Sequence, residues 1–531
     1  MSKKFTKAIC GIMCLAMTGS SLLGLASCGG TAVDDGEQTL SIWVSETGYG
    51  SKWLYAAVDS FKQQDWVKEK YPELKTSIVP NTTDGTFGFE TTVAGSGVNS
   101  YDLIASVAAG GSYYGSGQFE DLSSLYDSEV PGEGISLRDK MLDEIYFQQG
   151  YEQLDGTTKY YCVPWTVGTM GLFYNETVIK RAFGEDYDMP NTTDELVQFC
   201  YDLKSKGEVP IISSTSANYW SEMFKLWWAQ YNGIEDYTNF WYGINSDGDY
   251  DGEVTGQLGR KYSLMVINSL LNADNGLIHD ECTIRDYKTM QTFFLVGRGA
   301  IMANGDWLAN EMEGEDSSAI RMMKTPVISY VTERCTSVTT DEMLSFVVDC
   351  VDAGDSFETA ATKYEQKGYG ELKKADYNTI AEARNATAVY GGLGYHIPKY
   401  ATAKEVAKDF IRYCATDEGI KVIMDTGKGF LSAYDYTPSD ADMATYNSLS
   451  RDSLTYAKTA RFIPPHTMFR LFCYGGLIPI RATVNQVDSV FMADNPADRL
   501  DPVAIYQNDY DHYTKNNYSG WNDVLRKAGI I

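Results

Sequence analysis

Apolar positions follow two different spacings in the first part of this chain. Residues 40–44 alternate like a strand, whereas the apolar residues between 53 and 61 fall on one face of a helix that ends at Tyr71 and Pro72. Residues 76–79 and 103–105 read as two further strands. The order strand, helix, strand, helix, strand predicts an α/β lobe with a mainly parallel sheet.

A second α/β unit begins farther along. Residues 171–174 read as a strand, residues 195–203 as a helix and residues 210–213 as another strand. Two lobes, each with its own core, are the simplest account of a chain of 531 residues. The polar, helix-prone segment 332–388 fits neither unit, so we interpret it as an insertion.

The N-terminus has the order of a secretory signal. Three lysines precede the apolar run 8–25, and the small residues 26–30 follow it. Residues 25–28 resemble a lipobox, which predicts a signal peptide over 1–27, an acylated Cys28 and a polar tether over 28–37. Two acyl chains hold a protein stably on a membrane. We therefore expect a lipoprotein on the extracytoplasmic face of the cell membrane; an uncleaved anchor or a plain secretory signal is the alternative.

The amino-acid composition argues against several classes of partner and of site. The formal net charge is -28, from 44 basic and 72 acidic residues, and no basic run offers a face to phosphates, which argues against nucleic-acid binding. Outside the signal region and Cys28, seven cysteines remain, without a C-x-x-C pair. A zinc site and a dense disulfide scaffold are therefore not expected, while a single bridge stays open. We expect no cofactor.

One acidic segment has part of the spacing of a calcium loop. Asp247, Asp249, Asp251 and Gly252 occupy its positions one, three, five and six, but position twelve is Leu258, which cannot supply the bidentate carboxylate. An acidic turn is the better interpretation, and we expect no metal site.

The order of several motifs from residue 40 to about 429 resembles extracellular solute-binding protein family 1, the carbohydrate-binding lipoproteins of ABC importers. The motifs are residues 101–104, 117–122, the block 155–176 with its Tyr-Asn pair, 190–196, 294–307 and 391–398. The resemblance implies a two-lobed, periplasmic-binding-protein-like fold of type II with hinge-crossing segments. It divides the chain into lobe 1 (38–166 and 328–428, with the insertion) and lobe 2 (167–327 and 429–531).

The resemblance also implies a function and partners. A carbohydrate, in our interpretation an oligosaccharide, is captured between the lobes of a monomer and delivered to the permease subunits of an ABC importer. A sugar has apolar ring faces and a belt of hydroxyls, so its site needs aromatic plates and hydrogen-bonding groups. The 38 Tyr, 21 Phe and 10 Trp residues can supply the plates.

Eight side chains are candidates for the ligand site. Trp165 is expected at the hinge, Trp307 after an Asn-Gly turn and Trp220 before a helix, each with core packing as the alternative. The carboxyl ends of parallel strands carry binding groups, which points to Glu46, Ser106 and Tyr113. Asp306 either accepts from sugar hydroxyls or caps its own turn. Arg470 either stacks on the ligand or forms a structural salt bridge.

Two other functions remain open. A binding protein for another solute, such as a peptide, has the same fold. A surface-tethered glycoside hydrolase needs two opposed carboxylates, and among 72 acidic residues such pairs carry little information. The four histidines have no G-x-S-x-G or H-E-x-x-H motif around them, so we expect a binding protein and not an enzyme.

Overall fold

The computed structural model describes residues 39–81, 101–106, 114, 117–390, 393–465, 469–477, 487–493 and 495–531. They belong to one compact unit, Ala32–Ile531. The predicted signal peptide, the tether with Cys28, and Tyr113 lie outside the described residues. Within that part, helices of the length and apolarity needed to cross a membrane do not occur.

Strands form two larger sheets and one hairpin. In chain order they are β1 (Thr39–Ser45), β2 (Lys75–Asn81), β3 (Leu103–Ser106), β4 (Gly150–Glu152), β5 (Thr158–Tyr160), β6 (Val163–Pro164), β7 (Thr169–Asn175), β8 (Ile301–Gly305), β9 (Ile320–Met323), β10 (Ala386–Val389), β11 (Gly394–His396) and β12 (Arg461–Phe462).

Helices cover both sheets. They are α1 (Lys52–Gln63), α2 (Asp65–Lys70), α3 (Ser123–Tyr126), α4 (Leu137–Lys140), α5 (Asp143–Phe147), α6 (Glu176–Phe183), α7 (Thr193–Ser205), α8 (Trp220–Asn232), α9 (Ile234–Tyr242), α10 (Leu258–Leu271), α11 (Tyr287–Leu295), α12 (Leu308–Glu311), α13 (Asp341–Asp352), α14 (Phe357–Gln366), α15 (Lys374–Asn385), α16 (Lys404–Cys414), α17 (Asp417–Thr426), α18 (Asp440–Met443), α19 (Ser448–Ala457), α20 (Arg470–Cys473), α21 (Val487–Phe491) and α22 (Pro502–Lys527). Short 3-10 turns lie at Gly252–Gly256, Ala273–Asn275, Ser329–Arg334 and Pro496–Asp498.

The first sheet has the strand order β2-β1-β3-β11-β6. β1 is parallel to β2 and β3, as the sequence predicts, while β11 is antiparallel to both of its neighbours. All seven residues of β1 are buried. Leu40, Ile42 and Val44 pack in the main hydrophobic core, whereas Trp43 belongs to a smaller apolar cluster with Ile104 and Phe119. This sheet and its helices form the first lobe.

The second sheet is built around β7. Its strand order is β12-β10-β7-β8, with β9 also paired to β7, and β8, β9 and β10 all run antiparallel to β7. Ile211 adds a parallel bridge to Ile301 of β8. The predicted strand at 210–213 therefore lies beside this sheet, which forms the core of a second lobe.

The chain crosses between the sheets several times. It leaves the first sheet after β6 and enters the second at β7, and it returns between β10 and β11. It crosses again farther on, since Ser432 bridges Thr166 near the first sheet, whereas β12 lies in the second. Multiple crossings are the covalent basis of a hinge between the two lobes.

The insertion is attached differently from the prediction. It was expected within lobe 1, which was to resume at residue 328, but β10 pairs with β7 of the second sheet. Helix α13 of the insertion also contacts the second lobe: the Asn191 amide donates to Asp349 at 2.6 Å and the Thr192 hydroxyl donates to Asp341 at 2.7 Å. These long-range polar contacts hold the segment on the second lobe, so the change of sheet comes after Val389.

Two local features follow from residue type and spacing. Thr192 caps α7 by accepting a hydrogen bond from the Glu195 amide at 3.2 Å. The apolar stripe of α8 is buried, and it fills the core of the second lobe with Phe224, Trp227, Trp228 and Tyr231. The seven cysteines outside the signal region and Cys28 all carry free thiols.

Candidate functional site

Two loops from different lobes meet between the sheets. The loop after β1 carries Tyr49, and the end of β8 leads into Asp306 and Trp307. The Tyr49 hydroxyl donates a hydrogen bond to the Asp306 carboxylate, and the Tyr49 ring lies 5.9 Å from the Trp307 ring. The space between the lobes is therefore closed at this point by side chains from both.

Further aromatic rings surround this contact. The Trp165 ring lies 5.2 Å from that of Tyr49 and stacks on Trp53 at 4.1 Å, and the Trp307 ring lies 6.2 Å from Tyr219. Only 4% of Trp165 and 6% of Trp307 is exposed, because the rings cover one another. We call this group the interlobe cluster; its members are Tyr49, Trp165, Tyr219, Asp306, Trp307, Tyr390 and Phe430.

Glu46 holds the loop that carries Tyr49. Its backbone amide donates to the Asn81 carbonyl at 2.9 Å, and its carboxylate accepts a hydrogen bond from the Ser51 hydroxyl. Both bonds fix the turn between β1 and α1. Glu46 is half-buried and lies beside the cluster as a positioning residue.

The position of Trp307 depends on a glycine. A Cβ atom at Gly305 would lie 2.4 Å from atoms of the Trp307 ring, closer than any real side chain tolerates. The ring therefore folds back over the end of β8 because residue 305 has no side chain. The glycine of the Asn-Gly pair recognised in the sequence thus leaves the space that the Trp307 ring occupies.

Asp306 is a buried carboxyl at the lobe contact. It accepts hydrogen bonds from the Tyr49 hydroxyl and from the Thr169 hydroxyl, the latter at 2.8 Å. Burial raises the pKa of Asp306 to about 6, and the hydrogen bonds from Tyr49 and Thr169 oppose that rise. Burial, followed by the charge of Asp306, raises the pKa of Tyr49 well above its usual value.

The cluster also contains an unused donor. The indole N–H of Trp165 is buried and makes no hydrogen bond to any residue that the structure describes. A buried donor of this kind costs free energy unless it finds an acceptor. A hydroxyl of a bound molecule is one such acceptor.

Trp220 and Arg470 lie away from the interlobe cluster, and Tyr113 and the Ser106 side chain are outside the described residues. Trp220 needs correction: it is fully buried in α8, its ring lies 6.5 Å from Trp227, and it offers no face to the cluster. Its neighbour Tyr219, which precedes the helix, is the aromatic residue that reaches Trp307. Ser106 lies in β3, but its side chain, like the whole of Tyr113, is outside the described residues.

Arg470 forms the structural contacts that were one of its two predicted roles. Its guanidinium donates to the carbonyls of Ala528 at 2.6 Å, Leu154 at 2.7 Å and Gly529 at 3.0 Å. It also pairs with Glu152 at 3.4 Å. Arg470 therefore ties the β4–β5 hairpin to the C-terminal segment, and it is not a member of the interlobe cluster.

The sequence alone missed Tyr49, Tyr219, Tyr390 and Phe430. Tyr49 follows β1, so the carboxyl-end argument that selected Glu46 also applies to it. The other three residues have no local pattern that separates them from the remaining aromatic residues.

The segment 245–251 forms a turn of its own. The Asn245 side-chain oxygen accepts from the amides of Asp247 and Asp249, both at 3.0 Å. Across the described ranges, no group of three or more His, Cys, Asp or Glu side chains is arranged to hold a metal ion.

The sequence matches one protein family. Residues 89–447 match the sequence model of bacterial extracellular solute-binding proteins. None of the curated proteins matches this sequence.

Several solved structures share the fold. The GacH receptor of Streptomyces glaucescens, solved without ligand and with acarbose, is 15% identical and has a TM-score of 0.55. The match covers 91% of the present chain and 99% of the GacH chain. A Caldanaerobius polysaccharolyticus protein from work on xylan utilisation is 14% identical and has a TM-score of 0.58; the match covers 89% of the present chain and 99% of that protein. Maltose-bound MalE3 of T. maritima is 13% identical and has a TM-score of 0.56; the match covers 89% of the present chain and 98% of MalE3. The predicted two-lobed fold is confirmed.

Proposed function

Because this chain belongs to the bacterial extracellular solute-binding proteins, we propose that it captures a carbohydrate between its lobes and delivers it to the permease of an ABC importer. The observation that carries this proposal is the interlobe cluster, in which rings from both lobes surround one buried carboxyl. Aromatic faces combined with few polar groups suit a sugar, which has apolar faces and hydroxyl edges. The fold neighbours solved with acarbose and with maltose support the same ligand class.

The binding step follows from contacts that join the lobes. Besides the bond from Tyr49 to Asp306, the Asn310 amide donates to the Gly427 carbonyl at 3.1 Å. Such bonds form only when the lobes approach. A sugar that contacts both lobes binds the closed form more tightly than the open form and therefore shifts the population toward closure. The permease then recognises the closed form.

Within the cleft, each group has a defined task. Trp165 and Trp307 present ring faces to the sugar, the Trp165 indole N–H donates to a sugar hydroxyl, and the Asp306 carboxylate accepts from one. The aromatic surfaces come from several loops, so we infer that the ligand is an oligosaccharide. We place the first lobe at 39–166 and 393–435, and the second at 169–389 and 448–531.

We further propose that the protein is a monomer anchored through acylated Cys28 on the extracytoplasmic face of the membrane, with residues 28–37 as its tether. Replacing Cys28 by alanine should abolish incorporation of labelled palmitate and release the protein into the medium. Labelled, membrane-bound protein after that replacement would contradict the anchor.

A binding role fits the cluster better than hydrolysis. Glycoside hydrolysis requires two carboxyl groups on opposite sides of the scissile bond, whereas the interlobe cluster contains one, Asp306. The family and the fold neighbours are likewise solute-binding receptors.

Thermal shift of the unit Ala32–Ile531 against malto-, xylo-, manno- and fructo-oligosaccharides tests the proposal, with peptides and calcium as controls. We expect one glycan series to raise Tm, since a ligand at 100 times Kd stabilises the folded state by about 2.7 kcal/mol. Chromatography of the glycan afterwards should show no cleavage. A shift with peptides alone would contradict the carbohydrate assignment, and cleavage of the glycan would favour a hydrolase.

A further inference from the structure

A cavity of about 430 Å³ lies between the β4–β5 hairpin and the second lobe. Its other walls are the end of α9 with the turn that follows, the start of α20, and Ile530. We call it the hairpin pocket. None of its lining residues belongs to the interlobe cluster, and its volume falls within the usual range of ligand sites.

The walls of the hairpin pocket are rich in aromatic residues. Six of its fourteen lining residues are aromatic, against 13% of the whole chain, namely Phe147, Tyr160, Trp241, Tyr242, Tyr250 and Phe469. The Tyr242 and Phe469 rings meet edge to face at 4.8 Å, which fixes one wall. Phe147 is 48% exposed and Tyr250 is 46% exposed, so ring faces are accessible from solvent.

The charges at the pocket cancel. The Arg470 guanidinium donates to three carbonyls and pairs with Glu152, whose negative charge balances its positive charge. Burial, followed by the negative charge of Glu152, raises the pKa of Tyr242. Tyr242 and Tyr250 contribute two phenols to the lining of the pocket. Ring faces, two phenols and a carboxylate suit a neutral ligand with hydroxyl groups.

The pocket joins the two lobes. The hairpin belongs to the first lobe, because the Leu122 amide donates to the Tyr160 carbonyl at 2.7 Å and the Tyr146 ring stacks on that of Tyr160 at 5.0 Å. Trp241 and Tyr242 end α9 of the second lobe, where Trp241 packs 5.7 Å from Trp228. A molecule that contacts both walls is therefore sensitive to the relative position of the lobes.

We propose that the hairpin pocket is a second carbohydrate site that takes one neutral sugar ring and is separate from the interlobe cleft. The ligand class rests on the proposed function, whereas the existence of a second site rests on the cavity. An aromatic molecule such as indole is the competing occupant; the pairing of Glu152 with Arg470 and the two phenols of the lining favour a hydroxyl-rich ring.

The test uses two variants of one strand. Thr158 and Tyr160 line the pocket, whereas Lys159 points to the other face of β5, as alternate residues of a strand do. Thr158→Trp should fill the pocket, and Lys159→Trp is the matched control. Titration calorimetry of Ala32–Ile531 uses the glycan that raises Tm most, the corresponding monosaccharide, and indole.

We expect two binding events in the unaltered protein and in Lys159→Trp, and only the cleft event, with unchanged Kd, in Thr158→Trp. Trp307→Ala should weaken the cleft event and leave the pocket event unchanged. One event that Trp307→Ala weakens and Thr158→Trp leaves unchanged would overturn the pocket while the proposed function stands. If the unaltered protein shows a single binding event and Thr158→Trp abolishes it, the assignment of sugar binding to the cleft is overturned instead. Binding of indole but not of any sugar in the pocket, or no sugar binding at all, would overturn the carbohydrate assignment.

Discussion

The Tyr49 hydroxyl, on the loop after the first strand, donates a hydrogen bond to the carboxylate of Asp306, which lies 257 residues later in the other lobe. Each partner is fixed within its own lobe. Glu46 and Ser51 hold the loop of Tyr49, and the Thr169 hydroxyl donates to Asp306. The bond therefore joins two side chains that are each held within a separate lobe.

Replacing Tyr49 by phenylalanine should weaken ligand binding. A hydrogen bond to a charged group contributes about 1.5 to 3 kcal/mol, and here that contribution is present only in the closed form. We expect the Kd of the glycan to rise about tenfold or more in calorimetry. Tyr55→Phe, at an exposed position of α1, is the control. Equal affinity of the two variants would show that the bond does not assist closure.

The charge state of Asp306 should make stability depend on pH. Burial raises the pKa of Asp306 in the folded state to about 6, whereas its pKa in the unfolded state is about 3.9. Between these two pH values the folded state therefore keeps a proton that the unfolded state has lost. This stabilising contribution is complete below the unfolded pKa and is lost as pH rises through about 6. Asp306→Asn should flatten the unfolding free energy between pH 4 and 7, measured by urea denaturation.

For this comparison Asp59→Asn, on the exposed face of α1, controls for the loss of one negative charge. A slope as steep in Asp306→Asn as in that control would contradict the assignment.

Asp488 should have a similar effect at higher pH. It is buried in α21 and accepts a hydrogen bond from the Ser213 hydroxyl at 3.0 Å, and burial raises its pKa to about 7. Stability should therefore fall as pH rises through about 7, with a slope of at most about 1.4 kcal/mol per pH unit for one proton. Asp488→Asn should remove that fall without changing glycan affinity. A steeper fall in the variant would show that the carboxylate is stabilised when charged.

Trp307 and Trp165 should both contribute to ligand binding. Trp307→Ala and Trp165→Ala should each weaken glycan binding by about 1 to 3 kcal/mol, because an aromatic plate is lost. Trp66→Ala, a half-buried tryptophan that packs on Phe61 outside the cluster, is the matched control. If affinity is unchanged in both cluster variants, these residues lie outside the site.

Gly305→Ala tests the same site without removing an aromatic ring. The added methyl group would meet the Trp307 ring and displace it. We expect the affinity to fall as in Trp307→Ala, with a smaller change in Tm. Retained affinity would mean that the ring need not fold back over β8.

Removing the guanidinium of Arg470 should destabilise the protein. Its bonds to three carbonyls and to Glu152 would be lost, and we expect Arg470→Gln to cost about 2 to 4 kcal/mol in urea denaturation. Arg461→Gln breaks an exposed pair with Glu144 at 2.9 Å and should cost about 1 kcal/mol or less. Similar losses for both arginines would argue against a structural role specific to Arg470.

Much of the local structure follows from the sequence. The alternation of residues 40–44, the helical face ending at Phe61, the cap at Thr192 and the buried stripe of α8 are all set by spacing within a few residues. Trp165 and Trp307 could be selected for the same reason, since each stands beside a recognisable motif.

Contacts between distant segments needed the tertiary structure. The order of residues cannot show that Tyr49 meets Asp306, that the insertion lies on the second lobe, or that Arg470 holds the hairpin. It also cannot show that Tyr219, and not Trp220, faces the cluster, because that choice depends on where α8 begins against the core. Periodicity encodes which face of an element is buried, whereas the partner that covers it is decided only when all elements pack together.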